Sequence, residues 1–181
     1  MDTDSAVRAV VSFPLLEADD RQWIESIRAK HDPEAKRIAA HFTLVFPAVM
    51  SARATEAHMT RVAHSTEPIR FVLRRAAVAP DTVGPGGHVF LIPEDGRDAL
   101  GGLHERLCDR VLLQPHFRRN ATFTPHITIA AGTAIDPLHT IAGELNAKGM
   151  HIRGSISEIV LVEVTPGEIR HAARFQLGAA A

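Results

Sequence analysis

The stretch Phe123-Thr124-Pro125-His126-Ile127-Thr128-Ile129-Ala130 decides how the chain reads, together with its partial echo His41-Phe42-Thr43-Leu44-Val45-Phe46-Pro47. Both are short runs dominated by β-branched, aromatic and other apolar residues, the composition of a β-strand. Side chains alternate along a strand, so His41, Thr43 and Val45 take one face while Phe42, Leu44 and Phe46 take the other. His126, Thr128 and Ala130 likewise point away from Ile127 and Ile129. The apolar sets have a core to fill, which leaves an imidazole and a hydroxyl side by side on the opposite face of each strand.

The tripeptide alone carries little, since His-x-Thr occurs four times, at His41, His58, His64 and His126. Residues 54–66 read as a helix, where positions i and i+2 point in different directions, so the copies at His58 and His64 are set aside. The other two stand about half the chain apart.

Outward from these strands, the pattern predicts a first strand over residues 6–13 and a helix through residue 30, with Asp19 and Asp20 as N-caps and Trp23, Ile24 and Ile27 on its apolar stripe. Pro47 is expected to end the first motif strand. The helix over 54–66 leads to an extended segment over 69–79, a turn at 83–87, a strand over 88–92 and a helix over 97–113. After the second motif come a helix opened by Asp136-Pro137 and strands over 150–157, 158–164 and 172–177. The order divides near residues 84–87 into halves that each hold one motif strand. This predicts an α+β chain, residues 1–181 forming a single domain of two pseudo-symmetric lobes with a groove between them.

Two histidines on opposite walls of a groove are the parts needed for general acid–base attack on a phosphodiester. One neutral imidazole takes a proton from water or a ribose hydroxyl, and a protonated one gives a proton to the leaving oxygen. Their ordinary pKa near 6.5 allows either form around neutrality. Thr43 and Thr128 can donate hydroxyls to non-bridging phosphate oxygens and stabilise the more charged transition state. The candidate catalytic set is therefore His41, Thr43, His126 and Thr128. Phe13 and Phe123 are candidates to stack on a base, and Arg118 and Arg119 to meet phosphate.

Composition narrows the partners. The 181 residues carry a net charge of -1, with a pI of about 6.8. That balance argues against binding long nucleic acid, which needs a basic surface, and leaves a small nucleotide or an RNA end. Val83-Gly84-Pro85-Gly86-Gly87 lacks the Gly-Lys-Ser/Thr ending of a P-loop, and His104-Glu105 lacks the second His of a zinc-protease motif. No spaced ligand cluster marks a metal centre, and no cofactor is expected. The single Cys108 sits at a helix core position, where a structural thiol is expected. With no basic, apolar leader at the N-terminus and no span of membrane length, a monomer in the cytoplasm is expected.

At His41-Phe42-Thr43-Leu44 and His126-Ile127-Thr128-Ile129, with Phe123 and Pro125 before the second copy, the sequence resembles the 2H phosphoesterase superfamily. That group includes RNA 2',3'-cyclic phosphodiesterases and 2'-5' RNA ligase-like proteins. The resemblance implies a bilobal fold of two antiparallel sheets, helices outside, with one motif per lobe facing a central groove. It implies that His41 and His126 are the acid–base pair and Thr43 and Thr128 the phosphate anchors. Many bacterial relatives carry Arg soon after the second motif, where this chain has Ala130-Ala131, so Arg118 or Arg119 would have to fill that role. The expected activity is opening of a 2',3'-cyclic phosphate. The alternatives are 2'-5' RNA ligation, a 2'-5' oligonucleotide diesterase, and a non-catalytic module that binds a nucleotide or RNA end.

Overall fold

Strand alternation is written into the burial of both motifs but breaks after Leu44, at the bulge against the first strand, where Val45 is 0% exposed and Phe46, expected on the core face, is 45% exposed. Phe42, Leu44, Ile127 and Ile129 are 0% exposed, while His41, Thr43, His126 and Thr128 are half-buried on the other face. The computed structural model describes residues 5–81, 84–108 and 123–178. In chain order the described elements are β1 (Ser5–Ser12), β2 (Leu15–Leu16), α1 (Ala18–His31), β3 (Phe42–Ser51), α2 (Ala52–His64), β4 (Ile69–Pro80), β5 (Gly87–Asp95), α3 (Arg97–Cys108), β6 (Ile127–Gly132), α4 (Ile135–Ala147), β7 (Ile152–Ile156), β8 (Glu158–Val164) and β9 (Ile169–Gln176). A 3-10 turn, Pro33–Lys36, follows α1, with the Asp32 side chain accepting from Glu34 N.

All strand pairs are antiparallel, in the order β2-β7-β4-β5-β6-β3-β1-β8-β9. This revises the expectation of two separate sheets. A single pair, Phe42 opposite Ile127, joins β3 to β6 and makes the halves one continuous sheet. The halves also do not follow the chain. β4 precedes the 84–87 turn yet pairs with β5 beyond it, and β8, near the C-terminus, pairs with β1.

The main core lies between one face of the sheet and the helices, α1 lying along β6, α3 along β3 and α4 along β4 and β5. A second cluster, Ala9, Val11, Ile38, Val160 and Val162, occupies the opposite face of β1 and β8, with Phe13 packed against it. Phe42, at the joining pair, meets Phe71 edge to face with ring centroids 5.1 Å apart. Aromatic contacts of this kind add to the burial of two large apolar side chains.

Two further local expectations change. β3 runs on through Pro47 to Ser51. The register of β1 against β3 shifts between Arg8 and Val10, so Pro47 sits at a bulge, where a missing N–H is tolerated. Asp19 and Asp20 are not caps. Position N-cap belongs to Glu17, which makes no side-chain cap bond, and the two aspartates occupy the first turn, where the helix dipole favours them. Gly96 opens α3 at φ 81, and a Cβ there would run into the Arg70 carbonyl, so the turn requires glycine. Among the described residues, no helix is long and apolar enough to cross a membrane.

Candidate active site

The joining pair sets the geometry of the motifs. Both strands begin one residue after their histidine, at Phe42 and Ile127, so the histidines stand at the mouths of β3 and β6 rather than within them. One step either side of the Phe42–Ile127 pair, antiparallel register sets His41 across from Thr128 and Thr43 across from His126. The four candidate side chains thus share one face, with the imidazoles on one diagonal and the hydroxyls on the other.

The two imidazoles are oriented alike. His41 Nδ1 donates to Ala39 O at 2.8 Å, and His126 Nδ1 donates to Thr124 O at 2.7 Å. A carbonyl can only accept, so each neutral ring carries its proton on Nδ1 and keeps the Nε2 lone pair free for chemistry. Burial pushes the pKa of both below the ordinary 6.5. The backbone bond works against that shift in each case, Arg28 adds to it at His41, and His41 and His88 add to it at His126. The unliganded pair is therefore neutral around pH 7.

His41 is supported by a charge clamp that sequence reading missed. Arg28 is 1% exposed; it donates to Asp32, to Glu25 and to Ile38 O, while Ala40 N donates to Glu25 at 2.6 Å. These bonds pin both neighbours of Ala39, whose carbonyl orients His41. An arginine in the last turn of a helix reads as a solvated charge or a partner for the dipole, and only the fold reveals it as buried. His126 is supported differently, by the ring of Phe90 on β5, 3.6 Å away between centroids.

Phe13 is brought beside His41, with ring centroids 6.2 Å apart, and its ring also lies 5.1 Å from that of His171. A cavity of about 600 Å³ opens there, lined among others by Phe13, Arg37, Ala39, His171 and Arg174. Phe123 is not brought into this group. Its ring stacks on His104 of α3 at 3.8 Å, and His104 Nδ1 lies 2.7 Å from Leu44 O. Arg118 and Arg119 lie outside the described residues. Neither the cavity beside Phe13 nor a larger one of about 840 Å³, between the end of α1 and the β6–α4 turn, is lined by any of the four motif residues.

The copies set aside on helical grounds do lie in α2, where buried His58 bonds through Nε2 to Arg106 O at 3.0 Å. Cys108 is buried, and burial pushes its thiol up to about 11, the behaviour of a packing residue rather than a nucleophile. Among the described residues no group of three or more His, Cys, Asp or Glu could hold a metal ion.

The antiparallel sheet, backed among the described residues by four helices, is a fold shared with solved structures. Escherichia coli LigT complexed with 3'-AMP matches with a TM-score of 0.59 at 21% identity, over 97% of this chain and 99% of that one. TT0787 of Thermus thermophilus matches with a TM-score of 0.62 at 18% identity, over 97% and 100%. Kluyveromyces marxianus Usb1 matches with a TM-score of 0.60 at 12% identity, over 94% and 98%. No curated protein matches the sequence. The sequence pattern of the 2'-5' RNA ligase superfamily spans residues 16–168, and the chain belongs to that family, the 2H phosphoesterases.

Proposed function

We propose that this chain is a phosphoesterase that opens the 2',3'-cyclic phosphate of a nucleotide or RNA end, with His41 and His126 as the acid–base pair. The observation that carries this reading is the matched orientation of the two imidazoles, each bonded through Nδ1 and each with Nε2 unused. One Nε2 takes a proton from water as its oxygen bonds to phosphorus. The other, protonated once the phosphate anion is bound, gives its proton to the ribose oxygen that leaves. Thr43 and Thr128, on the other diagonal, donate to the non-bridging oxygens as their charge rises. Phe13 is the stacking residue of this reading, and Arg118 and Arg119, in the segment before His126, are its candidate phosphate contacts. A small nucleotide ligand agrees with the LigT structures, which hold 3'-AMP, ATP and NADP+.

The same reading treats the chain as one domain of two lobes. It is supported by the strand order, in which β6 and β3 meet at the centre and each has its half of the sheet beyond it.

The family description favours a second reading with the same residues, reversible 2'-5' RNA ligation. The test is a panel of 2',3'-cyclic mononucleotides, RNA ends bearing a cyclic phosphate, and 2'-5' linked oligonucleotides, assayed in chelator. Hydrolysis of the cyclic phosphates is expected. Joining of RNA ends without net hydrolysis would move the assignment to ligation, and no turnover of any member would overturn both.

A further inference from the structure

On β5, His88 and Phe90 alternate with Val89 and Leu91, which are 0% exposed, so the two rings lie on the face opposite the main core. The register sets Phe90 opposite Thr128 and His88 opposite Ala131. Phe90 therefore borders the second motif, and its ring covers the His126 imidazole nearly face to face, centroids 3.6 Å apart and planes at 20°. The His88 ring stacks along the strand in the other direction, 5.8 Å from Phe90 at 22°. With imidazoles on both sides, Phe90 has no open face for a nucleobase. Its role must be played through His126.

We propose that Phe90 is the positioning residue of His126, holding the imidazole plane so that Nδ1 stays on Thr124 O and Nε2 stays directed at the phosphorus site. An imidazole on a single hydrogen bond can still rock about its ring torsion, which has a broad energy well. A flat ring pressed against one face removes that freedom. The stack also keeps water from that face. The charged or titratable groups that face His126 are His41 from the β3 side and His88 from β5, the latter with its Nδ1 3.3 Å from the Asp81 carboxylate.

The inference rests on the acid–base role proposed for His126, and two measurements keep the two claims apart. Phe90→Leu is expected to lower kcat on a 2',3'-cyclic mononucleotide roughly 10- to 100-fold while KM stays within about twofold, and Phe90→Tyr to restore kcat. In ¹⁵N-edited NMR, His126 of Phe90→Leu is expected to titrate nearer the ordinary 6.5 and to lose its single Nδ1–H tautomer. Phe90→Met, bulky but ringless, replaces Phe90→Leu if that variant fails to fold by circular dichroism. Wild-type kcat in the ringless variant, an unchanged His126 titration and tautomer, or a loss confined to KM would overturn the positioning role. If wild-type protein opens no cyclic phosphate, the proposed function fails, and the NMR comparison alone then decides whether Phe90 holds His126.

Discussion

His41 and His126 are each held by the backbone two residues upstream, through Nδ1 to Ala39 O and to Thr124 O at nearly equal lengths. The bonds are local and lie within the chain just ahead of each strand, so each motif carries its own means of fixing the tautomer. This leaves Nε2 of both rings with its lone pair unbound, the nitrogen the proposed acid–base role would use.

Removing either ring is expected to remove turnover but not the fold. His41→Ala and His126→Ala should each lower kcat by roughly 10²- to 10⁴-fold, the contribution of a positioned acid or base. Both side chains are half-buried on the face away from the main core, so the melting temperature should stay close to wild type. Steady-state kinetics on a cyclic nucleotide and a thermal melt check this, and full activity in either variant would falsify the pair.

Thr43→Val and Thr128→Val keep the shape of the side chain and delete the donor. Each is expected to lower kcat by about 10- to 1000-fold without lowering expression or stability, as loss of one donor to developing oxyanion charge does. Equal kcat in wild type and both variants would leave the hydroxyls without a transition-state role.

Burial lowers the pKa of both histidines, and the proposed mechanism needs a free enzyme that carries one proton between them. That form is most populated below pH 6.5. The kcat/KM profile should therefore peak on the acid side of 6.5, falling at higher pH as the acid is lost and at lower pH as the base is protonated. A bound phosphate anion favours the imidazolium, so the kcat optimum should lie at higher pH than that of kcat/KM. A kcat/KM optimum above about pH 7, or a flat profile, would contradict this.

Arg28→Met should unfold more easily than wild type by about 3–5 kcal/mol, because it strands the Asp32 and Glu25 carboxylates that the guanidinium satisfies. Urea denaturation measures the loss. In the folded fraction kcat should also drop, because the segment carrying Ala39 O is released. A stable variant with normal kcat would show that the clamp supports neither the fold nor His41.

Phe42→Ala should cost about 3–5 kcal/mol, the range for emptying a large aromatic site in a core. Because Phe42 is half of the one pair that joins β3 to β6, activity should fall further than stability alone explains. Kinetics under conditions where circular dichroism reports full folding separates the two effects.

Local chemistry makes the motif strands legible. Alternation predicts the faces of Phe42, Leu44, Ile127 and Ile129, and the absence of that alternation removes His58 and His64. The helices around Ile24, Met59 and Leu103 follow from their period. What stays hidden depends on partners distant in sequence. Pro47 reads as a stop until the bulge against β1 is seen, and the two residues of β2 have no signature apart from their pairing with β7. Phe90 and His88 read simply as part of an apolar run, because nothing in the run says that His126 lies next door. Arg28 reads as solvated because its burial depends on Ile38 and Ala40 returning over α1. Phe123 reads as available for stacking until His104 is seen against it.

The interleaving of β4 with β5 and of β8 with β1 bears on how the chain can be divided. Cleavage at the turn around Gly84 would leave an N-terminal fragment with its β4 unpaired along β5 and its β1 lacking β8. The C-terminal fragment would carry the complementary gaps. Neither piece should be soluble on its own, yet the two expressed together have matching open edges and should reassemble. A protein split at this turn is thus suited to fragment complementation, with recovered phosphoesterase activity as the report that both halves have met.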